Sequence, residues 1–252
     1  MRYFIEFSYD GSVYHGWQRQ PNALTVQEVF EKALSLLLRQ KTILTGAGRT
    51  DAGVHASQMW AHFETPESLD TLQLSFKLNS FLPKDIAVRQ ILPVIDSAHA
   101  RFDAQKRHYQ YYIHRYKNPF LTTYSWYLAK DLDIDLMNEA AAKLLTYKDF
   151  KSFSKTHTDV KTFICDVQEA FWEVKGGQLV FNITADRFLR NMVRAIVGTL
   201  VDVGLHKLSV SDFAHIIEQR NREKAGFSVP AKGLFLSRIE YPSKIFIQNG
   251  ND

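Results

Sequence analysis

Three glycines and three alanines fall within eleven residues, 46–56, and no regular helix or strand is expected to run through them. The string is Gly46-Ala47-Gly48-Arg49-Thr50-Asp51-Ala52-Gly53-Val54-His55-Ala56. Small residues allow tight or left-handed turns and let a large ligand approach the backbone. The string separates an amphipathic stretch from an apolar run (Met59, Trp60, Ala61, Phe63), so it reads as a loop between packed elements. Its only charged groups are the Arg49 guanidinium and the Asp51 carboxylate. Reactive groups tend to sit on loops of this kind, carried by a rigid scaffold.

Two common glycine-rich loops do not fit. A dinucleotide-binding turn needs a third glycine where Asp51 stands, and a carboxylate there would repel a pyrophosphate. A phosphate-binding P-loop would end in Gly-Lys-Ser/Thr, which is absent. The bland reading is a solvated turn between strands.

Periodicity gives an α+β chain. Tyr3, Ile5, Phe7 and Tyr9 alternate as in a strand. Thr25 and Glu28 have capping-box spacing ahead of a helix with Val26, Val29, Phe30, Ala33, Leu34 and Leu37 inward. Strands are expected over 57–63, 86–92, 105–116, 164–174, 178–185 and 233–241. Lys175-Gly176-Gly177 marks a hairpin. Helices are expected over 69–80, 134–145 and 188–203, the last ended by Gly204 as a cap. A short helix capped by Ser209 or Ser211 runs to about 220. Arg187, Arg190 and Arg194, three and four residues apart, would share a face of the helix beginning at 188. Residues 117–131 are aromatic without clear period. The expected halves are therefore 1–116, with the Asp51 loop, and 117–252, with the Arg194 helix.

Composition narrows the setting. The 252 residues are 45% hydrophobic and 23% charged, which allows a substantial buried core. No apolar run is long enough to cross a membrane. The first seven residues read as a strand and not as a signal peptide. Cys165 is the only cysteine. An intrachain disulfide or a cysteine-rich zinc site is excluded, and a reducing, cytoplasmic setting without a structural metal is expected. The net charge of +4 is mildly basic. More telling is the cluster of Arg101, Lys106, Arg107, His108, His114, Arg115 and Lys117 with Tyr109, Tyr111, Tyr112 and Tyr116. Cations neutralise phosphates and aromatic faces stack on unpaired bases. A charged edge strand with an aromatic inner face explains the same stretch equally well. Arg194 lies among Met192, Val193, Ala195, Ile196 and Val197, where an unpaired charge is costly. Asp51 is the candidate partner.

With these residues in view, Gly48-Arg49-Thr50-Asp51-Ala52-Gly53-Val54-His55 resembles the catalytic motif of the tRNA pseudouridine synthase A family. Other segments agree in order: Tyr9-Asp10-Gly11, Gly16-Trp17-Gln18-Arg19-Gln20, Ala100-Arg101-Phe102-Asp103-Ala104 and Tyr109-Gln110-Tyr111. Further along come Asp149-Phe150, Phe188 to Arg194 with Gly198, and Pro230-Ala231-Lys232-Gly233-Leu234-Phe235-Leu236. The resemblance covers about residues 2–241. His108, Gln110 and Met59-Trp60 depart from the family's usual residues.

The resemblance implies the pseudouridine-synthase fold. That fold has two related α/β halves, a central antiparallel sheet flanked by helices, and an active-site cleft between the halves. It implies isomerisation of uridine to pseudouridine at positions 38, 39 and 40 of the tRNA anticodon stem-loop, by a homodimer, with no cofactor and no metal. By the same resemblance Asp51 is the catalytic aspartate, Tyr109 the active-site tyrosine and Arg194 the arginine that pairs with the aspartate. Arg49 helps hold the target nucleotide out of the stack, and Leu236 packs beside the target base. The chemistry is coherent. Breaking N1–C1′ leaves positive character that a carboxylate can stabilise or attack, and an arginine favours the ionised acid in a closed pocket. A non-catalytic RNA-binding module would leave Asp51 without a purpose. A glycoside hydrolase would need a second carboxylate, and neither Asp103 nor Asp149 is paired with Asp51 by any motif.

Overall fold

The computed structural model describes residues 1–156 and 160–247; His157, one of the nine histidines, lies outside them. In chain order the elements are β1 (Arg2–Tyr9), α1 (Val26–Leu38), β2 (Thr45–Gly46), β3 (His55–Glu64), α2 (Thr71–Phe81) and β4 (Ile86–Val94). Then come β5 (Lys106–His114), β6 (Trp126–Tyr127), α3 (Ile134–Lys143), β7 (Val167–Lys175), β8 (Gln178–Ala185), α4 (Met192–Gly204), α5 (Val210–Glu218) and β9 (Leu234–Glu240). The fold class is α+β, as the periodicities indicate.

Contacts divide the chain into two compact units. The first is Met1–Gln105 with the returning segment that begins at Leu236, and the second is Lys106–Phe235. This division differs from the halves 1–116 and 117–252. The reason is strand pairing: β5 lies antiparallel to β8 along its whole length, Arg107 opposite Ala185 and His114 opposite Gln178. A strand's partner is not encoded in its own alternation.

In the first unit β1 is flanked by β3 and β4, both antiparallel to it. The short β2 pairs with β3, and β9 lies on the other side of β3. Helix α1 packs its apolar stripe on β1, with the Phe30 ring 4.8 Å from that of Phe7. Phe4, Phe7, Phe30, Leu34 and Phe63 are almost wholly buried. Thr25 caps α1 by accepting from the Glu28 amide at 3.4 Å. The reciprocal half of the expected capping box gives way to an ion pair, Glu28 with Lys32 at 2.8 Å, one helical turn on.

In the second unit β8 lies between β5 and β7, and β6 runs parallel to the end of β5. Gly176 and Gly177 both have positive φ (58° and 77°), the conformation a two-residue type I′ hairpin requires. Helices α3, α4 and α5 pack around Met137, Phe153, Ile196, Leu200 and Phe213.

Three expectations for this region are corrected. Helix α4 begins at Met192 and not at 188, because Asn191 takes a left-handed conformation (φ 67°) at its N-cap. Arg187 and Arg190 therefore precede the helix and do not share a helical face with Arg194. Gly204 is the last helical residue and not a left-handed cap: a Cβ there would lie 2.4 Å from Met137 Sδ, so its smallness serves helix packing. Of the two serines expected to cap α5, Ser209 and Ser211, it is Ser209 that forms the full capping box, with Asp212. Among the described residues no helix is long and apolar enough to cross a membrane, and no group of three or more His, Cys, Asp or Glu is placed to hold a metal ion.

Candidate active site

The Asp51 loop joins β2 to β3 in the first unit, and the chain after β1 shapes it. Residues 10–17 run directly over its backbone. Gly16 has φ +87°, and a Cβ there would lie 2.2 Å from the Thr50 carbonyl oxygen. A Cβ on Gly11 would lie 2.0 Å from the Val54 carbonyl oxygen. Two backbones can approach this closely only without side chains. Polar contacts complete the clamp. The Trp17 amide donates to Thr50 O at 3.4 Å and the Gly53 amide to Tyr14 O at 3.2 Å. The Tyr9 hydroxyl lies 2.8 Å from Thr50 Oγ1. His55, fully buried, places Nδ1 3.1 Å from the Gly11 amide and 3.1 Å from Asp10 Oδ1. The Val54 amide closes the turn on Asp51 O at 3.2 Å.

The result is a rigid loop with a half-buried carboxylate, Asp51, and an exposed guanidinium, Arg49. Its glycines serve different ends. Gly46 makes room for Trp17, since a Cβ would meet the indole Nε1 at 2.4 Å. Gly53 supplies a positive φ of 75° in the turn. Gly48 needs neither: apart from its chain neighbours, no atom lies within 4 Å of where its Cβ would be. The space above Gly48 is open, in the same loop as the two charged residues.

The second unit carries Tyr109 and Arg194. Tyr109 is half-buried on β5, and its ring meets Phe188 edge-on at 5.0 Å. The alternation of β5 sorts its side chains onto two faces. His108, Gln110 and Tyr112 share one: His108 Nδ1 is 2.8 Å from Thr184 Oγ1, which donates to Glu169, and Gln110 donates to Asn182 at 2.9 Å. Tyr109, Tyr111 and Ile113 share the other. Tyr111 is buried and donates its hydroxyl to Pro230 O at 2.9 Å. Burial pushes its phenol well above the usual tyrosine range, while the nearby Arg194 charge pulls it slightly back. It stays a hydrogen-bond donor.

Arg194 sits in the first turn of α4, half-buried, and its Nε donates to the Val229 carbonyl at 2.7 Å. The strap 226–229 reaches it because Gly198 and Gly226 have no side chains. A Cβ on Gly198 would lie 1.9 Å from Phe227 O, and one on Gly226 2.8 Å from the Thr199 amide nitrogen. Arg222 bonds the carbonyls of Ala225 and Gly226 and the Ser228 hydroxyl, and Asn191 Nδ2 also donates to Ser228 Oγ. The apolar sequence around Arg194 pointed to a needed partner; the Val229 carbonyl is one that sequence reasoning missed. Leu236, on β9, belongs to the first unit and is 3% exposed. Phe188 was visible in its motif, but its contact with Tyr109 depends on β5 and on the turn before α4. The clamp of Gly11, Gly16 and Tyr9 on the loop was legible only as motif spacing.

The fold and the loop define a class: an α+β enzyme scaffold of the pseudouridine-synthase kind. The chain belongs to the tRNA pseudouridine synthase family, whose model matches residues 6–103 and 140–242. It is 56% identical to the tRNA pseudouridine synthase A of Bacteroides fragilis over 97% of this chain and 98% of the relative. It is 54% identical to that of Bacteroides thetaiotaomicron over 97% and 92% of the two chains, and 39% identical to that of Bacillus subtilis over 96% and 99%.

Proposed function

We propose that the protein isomerises uridine to pseudouridine in the tRNA anticodon stem-loop, at positions 38, 39 and 40. The reading rests chiefly on one observation: a loop clamped by residues 10–17 carries half-buried Asp51 three residues from Gly48, whose side-chain position is uncrowded. In the reaction N1–C1′ breaks, the uracil turns, and C5–C1′ forms. The proton leaves C5 and N1 gains one, so atoms and electrons balance without an oxidant or reductant. Asp51 acts on the ribose or base of a flipped-out uridine, an extrusion that costs a few kcal/mol. Arg49, exposed beside it, fills the vacated space. Arg194, held in orientation by Val229 O, is the arginine that pairs with Asp51 in the reaction. Tyr109 stacks on the base or relays the C5 proton. Leu236 gives the base an apolar neighbour, and its low exposure restricts it to an edge contact. The active species is a homodimer in the cytoplasm, with no cofactor and no metal.

The test is incubation with a tRNA transcript bearing uridine at the three positions, followed by chemical derivatisation to detect pseudouridine. Asp51→Asn is expected to lose at least about 1,000-fold in rate, the scale for removing a group that acts on the reacting bond. Near-normal turnover by that variant overturns the reading.

A further inference from the structure

Residues 117–131 have the aromatic, aperiodic sequence expected of a boundary between halves. In the structure this stretch is ordered and displayed. Its far end is pinned by β6, which pairs with Ile113 and His114, and by the Leu128 amide bonded to His114 O at 3.0 Å. Its tip is a 3-10 turn, Pro119–Leu121, capped by Asn118, whose Oδ1 accepts from the Phe120 amide at 2.9 Å. The amides of Leu121 and Tyr124 bond to Asn118 O and Leu121 O, each at 3.2 Å. From this fixed turn Phe120 projects with 87% of its surface exposed, and Tyr116 with 81%. Tyr127, nearly half exposed, stacks on His114 with ring centres 5.3 Å apart.

Water is a poor neighbour for such rings. A rigid turn that presents them forgoes burial that a small change of path would recover. The charge pattern says what they meet. Within 115–130 the charged residues are Arg115, which ion-pairs with Asp131, and Lys117 and Lys130, which leave the turn itself with cations only. Aromatic faces set among cations bind single-stranded nucleic acid, because every base has a stacking face and every linkage a phosphate. A protein partner built on apolar packing would leave the cations without a purpose.

We propose that this turn is a second RNA contact, on which Phe120 and Tyr116 stack unpaired bases of the tRNA while Lys117 and Lys130 meet the flanking phosphates. The proposal rests on the tRNA reading above. Within the second unit, Tyr109 and His114 are five strand residues apart, about 17 Å. The turn therefore engages nucleotides other than the target uridine.

The experiment uses the full-length protein and two probes, a tRNA transcript and a ten-nucleotide oligouridylate. Phe120 is replaced by Ala, Leu and Trp, and tRNA affinity, KM, kcat and sedimentation are measured. Stacking predicts that Phe120→Leu behaves like Phe120→Ala, each raising Kd and KM about 5- to 100-fold with little change in kcat, while Phe120→Trp retains binding. Oligouridylate binding should fall in parallel. If Phe120→Leu keeps wild-type Kd for both probes, the proposal is overturned. If the variants change the oligomeric state and not the Kd, the turn is a protein interface and the proposal is equally overturned. Pseudouridine formation by the wild type is scored in the same samples. Its absence sinks the functional reading, whereas its presence with an unchanged Kd sinks this proposal alone.

Discussion

Replacing Gly48 by alanine adds a methyl group where no atom beyond its chain neighbours lies within 4 Å, and the residue's backbone is not left-handed. The fold should not register the change, and the melting temperature should stay within a few degrees. Activity should register it if the space belongs to the nucleotide: kcat/KM is expected to fall about 10-fold or more. Gly16→Ala is the control, since its methyl group would run into Thr50 O and its φ of +87° disfavours any side chain. That variant should lose both stability and activity; paired melts and turnover assays on the two variants make the comparison. His62 offers a pH signature. It is buried, its Nδ1 accepts from the Ala100 amide at 3.1 Å, and Arg2, His99, Glu64 and Asp103 surround it. Burial, then the neighbouring His99 and Arg2, bring its pKa from 6.5 down to about 4. The folded state therefore binds fewer protons than the unfolded one between those values. The contribution of neutral His62 is fully present above pH 6.5 and is lost as pH falls toward 4. Thermal melts from pH 7.5 to 4.5 should show that decline, and His62→Gln should flatten it. The charged residues of the Asp51 loop were legible in sequence because charged groups stand out against small neighbours. The purpose of each glycine was not, because crowding is set by residues far away in the chain.

At the scale of the element, α4 shows what local pattern conveys and what it omits. The run from Met192 to Val203 is apolar enough to mark a buried helix, and Met192, Ile196 and Leu200 are fully buried. The start was misplaced by four residues, because periodicity continues through 188–191 while the backbone of Asn191 turns left-handed. Asn191 bonds Ser228, a partner 37 residues away, and no local signal could announce it. The strap that carries Val229 O to Arg194 depends on Gly198. Gly198→Ala would drive a methyl group into the Phe227 carbonyl and is expected to cost about 1–3 kcal/mol, the range for overpacking. Denaturant unfolding would measure that loss. The same variant should lower activity beyond the stability effect, since the strap orients the guanidinium. Equal activity per folded molecule would show that the strap is only structural.

For the whole molecule, the functional reading carries a prediction about salt. A chain of net charge +4 with cations at 101–117 and 115–130 should hold tRNA largely through phosphates. Raising salt from 50 to 200 mM is expected to weaken tRNA binding about 10-fold or more, with log Kd linear in log salt. A flat response in a filter-binding titration would exclude phosphate contacts as the main source of affinity. The sequence by itself determined the α+β class, most helices and strands, and the loop that sets a carboxylate among glycines. These follow from short-range facts: apolar period, turn residues, and a carboxylate among glycines. The tertiary structure alone decided that β5 belongs with β8 and that residues 10–17 clamp the Asp51 loop. It also decided that Arg194 is held by Val229 and that Phe120 is displayed and not packed. Periodicity records which face of an element is buried, but it carries no information about which distant segment buries it.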